Sequence, residues 1–458
     1  MRGMTQAIDP RLRRDLRASV ADGASYSLMV GLGETYLPAF AIAVGLGQVA
    51  AGLVAAVPVV LGAVIQLISP YAVQRLGSLR RWVVLCAATQ ALSFVPLLLT
   101  ALGWLPAVQS SAWTAAAVVY SAATLYWAAG MGTGPAWNTW MNRLIPARRR
   151  ATFFARRSRF THGCVLVGLV AGGLALHATA HGRHELATFG AIFAAAAVFR
   201  LLSARFLAMQ SEPRQDLDNH RHVPPGELMQ RTRHRADGRL LAYLLAIQLA
   251  TYVAAPYFTP YMLKQLHQSY AQYMLLTAVS YVVKVASAPL AGRIAAHFGA
   301  RRLLWLGGLA VIPLPWLWTL GDSPAYLAFL QVLAGLAWGA HELAALLLFF
   351  ETIPEEERTS VLTTYNLLNA VAQVAGALLG GGLLHWLHES HAGYMVLFAT
   401  STLGRALTVV LLARVTLEQP HPTPLATGSI AVEPAGGSIE RPILASIAQE
   451  ASETREAP

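Results

Sequence analysis

The chain has 458 residues, of which 55% are hydrophobic and only 12% charged, about half the ~25% charged share of a soluble globular protein. A soluble chain of this length needs a charged surface to cover its domains. A mean hydropathy of +0.47 instead makes the bilayer the expected solvent and argues against an ordinary soluble enzyme. The net charge of +11 would suggest nucleic acid as a partner, but the placement of the arginines explains it better.

A helix needs about 20 apolar residues to cross a bilayer core. Twelve stretches satisfy this: 20–45, 48–72, 82–102, 112–141, 159–180, 187–209, 239–263, 268–291, 302–320, 324–350, 360–386 and 392–415. The N-terminus carries Arg2, Arg11, Arg13, Arg14 and Arg17. Further arginines cluster in the even-numbered connections: Arg75, Arg80 and Arg81, then Arg143 to Arg159, Arg214 to Arg239, Arg293 to Arg302, and Arg358. The odd-numbered connections hold almost none. By the positive-inside rule both termini are cytoplasmic, as an even number of spans requires, and no nucleic-acid partner is expected.

The first 18 residues lack the apolar core of a signal peptide. Cys86 and Cys164 lie inside apolar runs, with no disulfide or metal-ligand spacing. No catalytic residue, cofactor or metal is expected, and no phosphate-binding Gly-xxxx-Gly-Lys motif occurs. Residues 210–238 are polar and contain Pro213, Pro224 and Pro225; residues 416–458 are rich in Pro, Gly, Ser and Glu. The expected organisation is an N-terminal six-helix bundle (1–209), a cytoplasmic linker (210–238), a C-terminal six-helix bundle (239–415) and a disordered tail (416–458).

The halves repeat one another. Ile145-Pro146, Arg150, Gly168, Gly172, Gly173 and His177 recur as Ile353-Pro354, Arg358, Gly376, Gly380, Gly381 and His385, at an offset of 208. Phe193-Ala194 and Arg200 recur as Phe398-Ala399 and Arg405, at 205, and Tyr36-Leu37-Pro38 is echoed by Phe258-Thr259-Pro260, at 222. Parallel repeats of this kind relate two bundles about an axis along the membrane normal and place a substrate site between them.

Two loop motifs carry a family resemblance. Gln74-Arg75-Leu76-Gly77 followed by Arg80-Arg81, and Gly292-Arg293 with Gly299 followed by Arg301-Arg302, resemble the two gate-loop motifs of the major facilitator superfamily. Trp137-Asn138 before Ile145-Pro146, and Pro260-Tyr261-Met262-Leu263, resemble a bacterial branch of it. The resemblance covers residues 15–418 and implies an all-α integral membrane protein of twelve transmembrane helices in two pseudo-symmetric bundles. In that family an acidic residue of the loop latches the cytoplasmic gate. Gln74 and Ala296 stand in its two positions, so the usual latch is not expected. Proton-coupled members tend to carry an arginine in the fourth span, and residues 112–141 have none.

Polar groups inside spans mark function. Tyr273, Thr277, Ser280, Lys284 and Ser287 form one stripe of the eighth span, and Gln331, Gly335, Trp338 and Glu342 one stripe of the tenth. Lys284 either lines the substrate cavity or snorkels to the interface. Glu342 maps onto Gly134 in the first half, and its lack of a duplicate favours a cavity role. Measured from the starts of their spans, Lys284 and Glu342 lie about 24 and 27 Å deep, so the two are expected to pair.

Glu34, on a face with Gly23, Ser27 and Gly31, is a further cavity candidate, with an intrabundle hydrogen bond as its alternative. Asn369 and Gln373 share a stripe of the eleventh span. Trp137 and Asn138 are either substrate contacts or interface anchors. His341 reads as a packing histidine, Asp22 as an interfacial partner of a loop arginine, and the duplicated Arg200 and Arg405 as structural.

The expected function is secondary active transport of a small organic solute by a monomer in the cytoplasmic membrane. Protons are an optional coupling ion, with Glu34, Lys284 and Glu342 as coupling candidates. The alternatives are a transport-derived receptor or a lipid translocase, and, more remotely, a membrane enzyme.

Overall fold

The structure is a computed structural model that describes residues 9–106, 111–180, 182, 184–213, 236–353 and 355–415. The expected tail lies outside these residues, as does most of the expected linker. Every regular element among them is helical. The first half contains α1 (Pro10–Leu32), α2 (Leu37–Ala43), α3 (Gln48–Leu53), α4 (Val57–Leu76), α5 (Leu79–Leu92), α6 (Phe94–Ala101), α7 (Ala112–Leu144), α8 (Ala147–Thr179) and α9 (Glu185–Ala208). The second contains α10 (Ala236–Tyr252), α11 (Tyr270–Phe298), α12 (Ala300–Ala310), α13 (Leu314–Leu317), α14 (Pro324–Thr352), α15 (Glu355–Trp386), α16 (His391–Leu407) and α17 (Val409–Ala413).

Each expected stretch is helical, and among the described residues nine helical segments are long and apolar enough to cross a membrane. The first, fourth and ninth stretches are not among the nine. The first is interrupted after α1 by a tight turn over Glu34–Tyr36. The ninth is divided between α12 and α13, next to Pro313 and Pro315, which cannot donate to the helical ladder. Large apolar side chains such as Leu85, Val167, Leu174, Leu379 and Leu403 are exposed, as a lipid-facing surface requires.

The two halves pack alike. In the first, α1 lies against α8 and α9, and α4 against α7; in the second, α10 lies against α15 and α16, and α11 against α14. Close approach is built into both copies. A Cβ on Gly168 would meet the backbone of Leu28 and Gly31, and one on Gly376 the backbone of Leu249 and Tyr252. These matching contacts shift one expected register. The Tyr36 hydroxyl donates to the Leu169 carbonyl and the Tyr257 hydroxyl to the Ala377 carbonyl, each at 2.5 Å. Tyr257, and not Phe258, is therefore the counterpart of Tyr36. The offset between α1 and α10 is 221, because the repeated hydrogen bond sets the register and the echoed Pro does not.

The halves meet through α8 with α11 and through α4 with α15. At the end holding residues 34–50 and 257–273, polar bonds cross between them. Glu389 accepts from the Gln48 amide at 3.1 Å, Tyr394 donates to Gln48 Oε1 at 3.0 Å, and Tyr270 donates to Glu185 at 2.7 Å. Tyr273 donates to the Thr35 carbonyl at 3.3 Å and packs edge-on against Tyr36.

Candidate cavity and its charged residues

A cavity of about 170 Å³ lies within the second half. It forms where the polar stripes of α11 and α14 face each other, with α10 and α16 contributing to the wall. Lys284, Trp338 and Glu342 line it. The expected pairing is present: Lys284 Nζ lies 3.3 Å and 3.4 Å from the two carboxylate oxygens of Glu342. Both side chains are only partly exposed, at 22% and 25%, so neither snorkels freely. Gly335 and Gly339 let α14 approach α11 closely: a Cβ on Gly335 would meet the α11 backbone, and one on Gly339 the Lys284 stem.

Gln248 and Thr251 of α10, Gln331 of α14 and Tyr281 of α11 add polar groups. Tyr252, Phe258 and Trp318 add aromatic surface. The Tyr281 hydroxyl lies 2.5 Å from His162 Nδ1 of α8, which ties the cavity wall to the first half. The stripe rule located Lys284, Gln331 and Glu342. It missed His162, whose role appears only when α8 and α11 are brought together.

The remaining candidates lie elsewhere. Glu34 is buried in the first half and accepts a hydrogen bond from Tyr126 at 2.6 Å. Asn369 and Gln373 are buried on α15 but do not line this cavity. Trp137 is fully buried beneath the Arg157 guanidinium, 4.8 Å from its ring centroid, and packs on Phe154; a membrane-surface anchor would be exposed. Asn138 next to it is half-buried. His341 is buried and shares a hydrogen bond of 3.1 Å with Tyr243, as a packing histidine does.

The duplicated arginines differ from the expectation in one half. Arg200 is wholly buried, donates to Gln90 at 2.7 Å and Ser203 at 2.6 Å, and stacks on Tyr26. Ser203 donates to Asp22 at 2.7 Å, and Asp22 pairs with Arg157 at 3.2 Å. Asp22 therefore pairs, as expected, with an arginine of the fourth connection, but the pair is fully buried, because α8 begins at Ala147 and carries Arg157 inside the bundle. Arg405, by contrast, lines the cavity. Its duplication in sequence concealed a difference in surroundings.

In the gate loops, Gly77 and Gly299 adopt φ of 63° and 86°, where glycine avoids a steric cost. Gln74, Arg75, Arg81, Arg293 and Arg302 are exposed, while Gly292 is buried and Arg80 and Arg301 half-buried. A carboxylate does serve the first loop, and it comes from Glu212. This residue accepts from the Ser78 hydroxyl at 2.5 Å and the Leu79 and Arg80 amides at 2.6 and 3.2 Å, capping α5. Nothing in the local motif signalled it, since 134 residues separate it from Ser78.

Residues 240–449 match the family model described as Major Facilitator Superfamily. No curated protein sequence matches the chain. Similar solved structures include a point mutant of the nucleoside transporter NupG, at 11% identity and a TM-score of 0.66, covering 88% of this chain and 98% of that one. A POT family transporter in complex with 5-aminolevulinic acid is 13% identical, with a TM-score of 0.65 and coverage of 89% and 96%. A D-xylose–proton symporter is 17% identical, with a TM-score of 0.58 and coverage of 87% and 96%. The protein is thus a multi-pass membrane protein whose second half matches the Major Facilitator Superfamily in sequence and whose fold is shared with these transporters over almost nine-tenths of its length.

Proposed function

We propose that the protein is a secondary active transporter that moves a small organic solute across the cytoplasmic membrane by alternating access. The observation that carries this reading is the cavity in the second half, where an ion pair, several neutral polar groups and aromatic rings converge inside membrane-spanning helices. Charged groups are costly at that depth and serve a solute path better than they serve packing. Solved proteins of the same fold are named for carrying a nucleoside and D-xylose, which supports the class of cargo.

The full reading has twelve spans in two six-helix bundles, 1–209 and 239–415, joined by a linker and followed by a tail, with both termini cytoplasmic. The repeated contacts of α1 with α8 and α10 with α15 support it. The crossing bonds of Gln48, Glu389, Tyr270 and Tyr273 then seal the outer face, so this conformation is closed to the outside. Proton coupling, if it operates, runs through Glu342, whose protonation releases Lys284, or through Glu34.

The test is uptake by proteoliposomes of the purified chain, across a panel of solutes, with and without a pH gradient. Flux that collapses with the gradient supports a coupled transporter. Ligand binding with no flux under any gradient points to a receptor, and movement of labelled lipid to a translocase.

A further inference from the structure

The two halves contain the same arginine in different surroundings, which serve as an internal control. Arg200 and Arg405 occupy matched positions on α9 and α16. Around Arg200 the protein supplies the Gln90 side chain, the Ser203 hydroxyl and, one bond further, the Asp22 carboxylate. At the offsets fixed by the repeated contacts, Asp22 corresponds to Tyr243 and Arg157 to Tyr365, and at the offset of 221 that aligns Arg80-Arg81 with Arg301-Arg302, Gln90 corresponds to Val311. None of the three replacements offers a carboxylate.

Arg405 is 3% exposed. Nη1 donates to the Val311 carbonyl at 2.8 Å, an acceptor left free because Pro315, four residues on, has no N–H. Nε has no hydrogen-bond partner, as Nη2 of Arg200 has none, so the contrast between the two lies in the carboxylate and not in a single unpaired N–H. The Thr408 hydroxyl, at the position of Ser203, turns back to the Arg405 carbonyl. No carboxylate among the described residues forms an ion pair with Arg405. Yet it lines the cavity, with its guanidinium 5.7 Å from the ring centroid of Trp338.

A second internal comparison concerns the other two charges. Lys284 corresponds to Gly62 and Glu342 to Gly134. The match is geometric: Gly62 packs on Trp127 and Met131, and Lys284 packs on Gly335 and Gly339, the same positions 208 residues on. All three cavity charges are thus peculiar to the second half, in identity or in pairing. Lys284 and Glu342 cancel, leaving one positive charge. Burying a guanidinium without a counter-charge is unfavourable, and a ligand anion relieves it.

We infer that the cavity binds an organic monoanion, its carboxylate on Arg405 and its apolar body against Trp338, Tyr252 and Trp318. This rests on the cavity being the solute site. A cavity near 150 Å³ holds benzene, so benzoate suits the 170 Å³ available.

The experiment measures equilibrium binding of benzoate, benzamide and benzylamine to the full chain in detergent, by titration calorimetry and by the shift in melting temperature. Benzoate is expected to bind best. Arg405→Gln should weaken it roughly ten- to a hundredfold, the loss expected for a hydrogen bond to a charged group, and leave benzamide unchanged. Arg405→Lys should restore part of the benzoate affinity. Should Arg405→Gln fail to fold, Glu342→Gln decides: freeing Lys284 raises the cavity charge and should tighten benzoate at least threefold. A preference for benzylamine, no benzoate binding, or benzoate affinity indifferent to Glu342→Gln or Arg405→Gln overturns the inference. Gradient-driven flux of a neutral or cationic solute alongside absent benzoate binding would sink the anion site and leave the transporter reading standing. Benzoate binding through Arg405 without flux of any solute would do the reverse.

Discussion

Removing either member of the Lys284–Glu342 pair leaves a charge in a partly closed cavity, so each single substitution should cost more than removing both. At 3.3 Å and an effective dielectric of about 20, the Coulomb attraction is about 5 kcal/mol. Desolvation and the residual exposure of 22% and 25% reduce the net value. Breaking a fully buried pair costs about 3–5 kcal/mol, and exposed pairs contribute about 0–1 kcal/mol; the pair here falls between, at about 1–3 kcal/mol of coupling. The assay is a double-mutant cycle with Lys284→Ala, Glu342→Ala and the double variant, read by unfolding in detergent and by proteoliposome flux. Each single variant should be less stable and impaired in flux, and the double variant should lose less than the sum. Additivity within about 0.5 kcal/mol, with independent flux losses, would refute the pairing as an energetic unit.

Asp22→Asn should destabilise the first half by about 3–5 kcal/mol, since Arg157 is 2% exposed and loses its carboxylate partner; a melting temperature within error of wild type would contradict this. Glu212→Ala should cost about 1–2 kcal/mol, the scale of a lost helix cap, and raise amide exchange at Leu79 and Arg80, whose N–H groups it accepts; unchanged exchange there would show the cap to be idle. Reporter fusions after Gly103, Arg183 and Asp322 should read periplasmic, and those after Ser78 and Gly226 cytoplasmic. Reversal at any adjacent pair would break the twelve-span map.

Helical periodicity and the cost of charge in lipid made much of this protein readable from its sequence. Apolar runs of bilayer length placed the helices, and arginine asymmetry underlies the orientation proposed for them. The stripes through Lys284 and Glu342 brought out the pair, because each helix has one face that lipid cannot cover. A stripe, however, says which face is polar and not which helix it meets. Glu34, Asn369 and Gln373 look like Lys284 in sequence, yet packing directs Glu34 to Tyr126 and keeps the other two off the cavity wall. The tertiary structure alone decided the partners that lie far apart in sequence: Glu212 on the cap of α5, His162 on Tyr281, Arg157 on Asp22. It also separated Arg200 from Arg405. Duplication copied the arginine, but its electrostatic setting depends on neighbours from three other helices. Those neighbours diverged, with the position of Asp22 held by Tyr243 and that of Gln90 by Val311. A charge repeated in sequence has a carboxylate within its hydrogen-bond network in one half and lines a cavity in the other, because solvation belongs to the assembled surroundings and not to the residue.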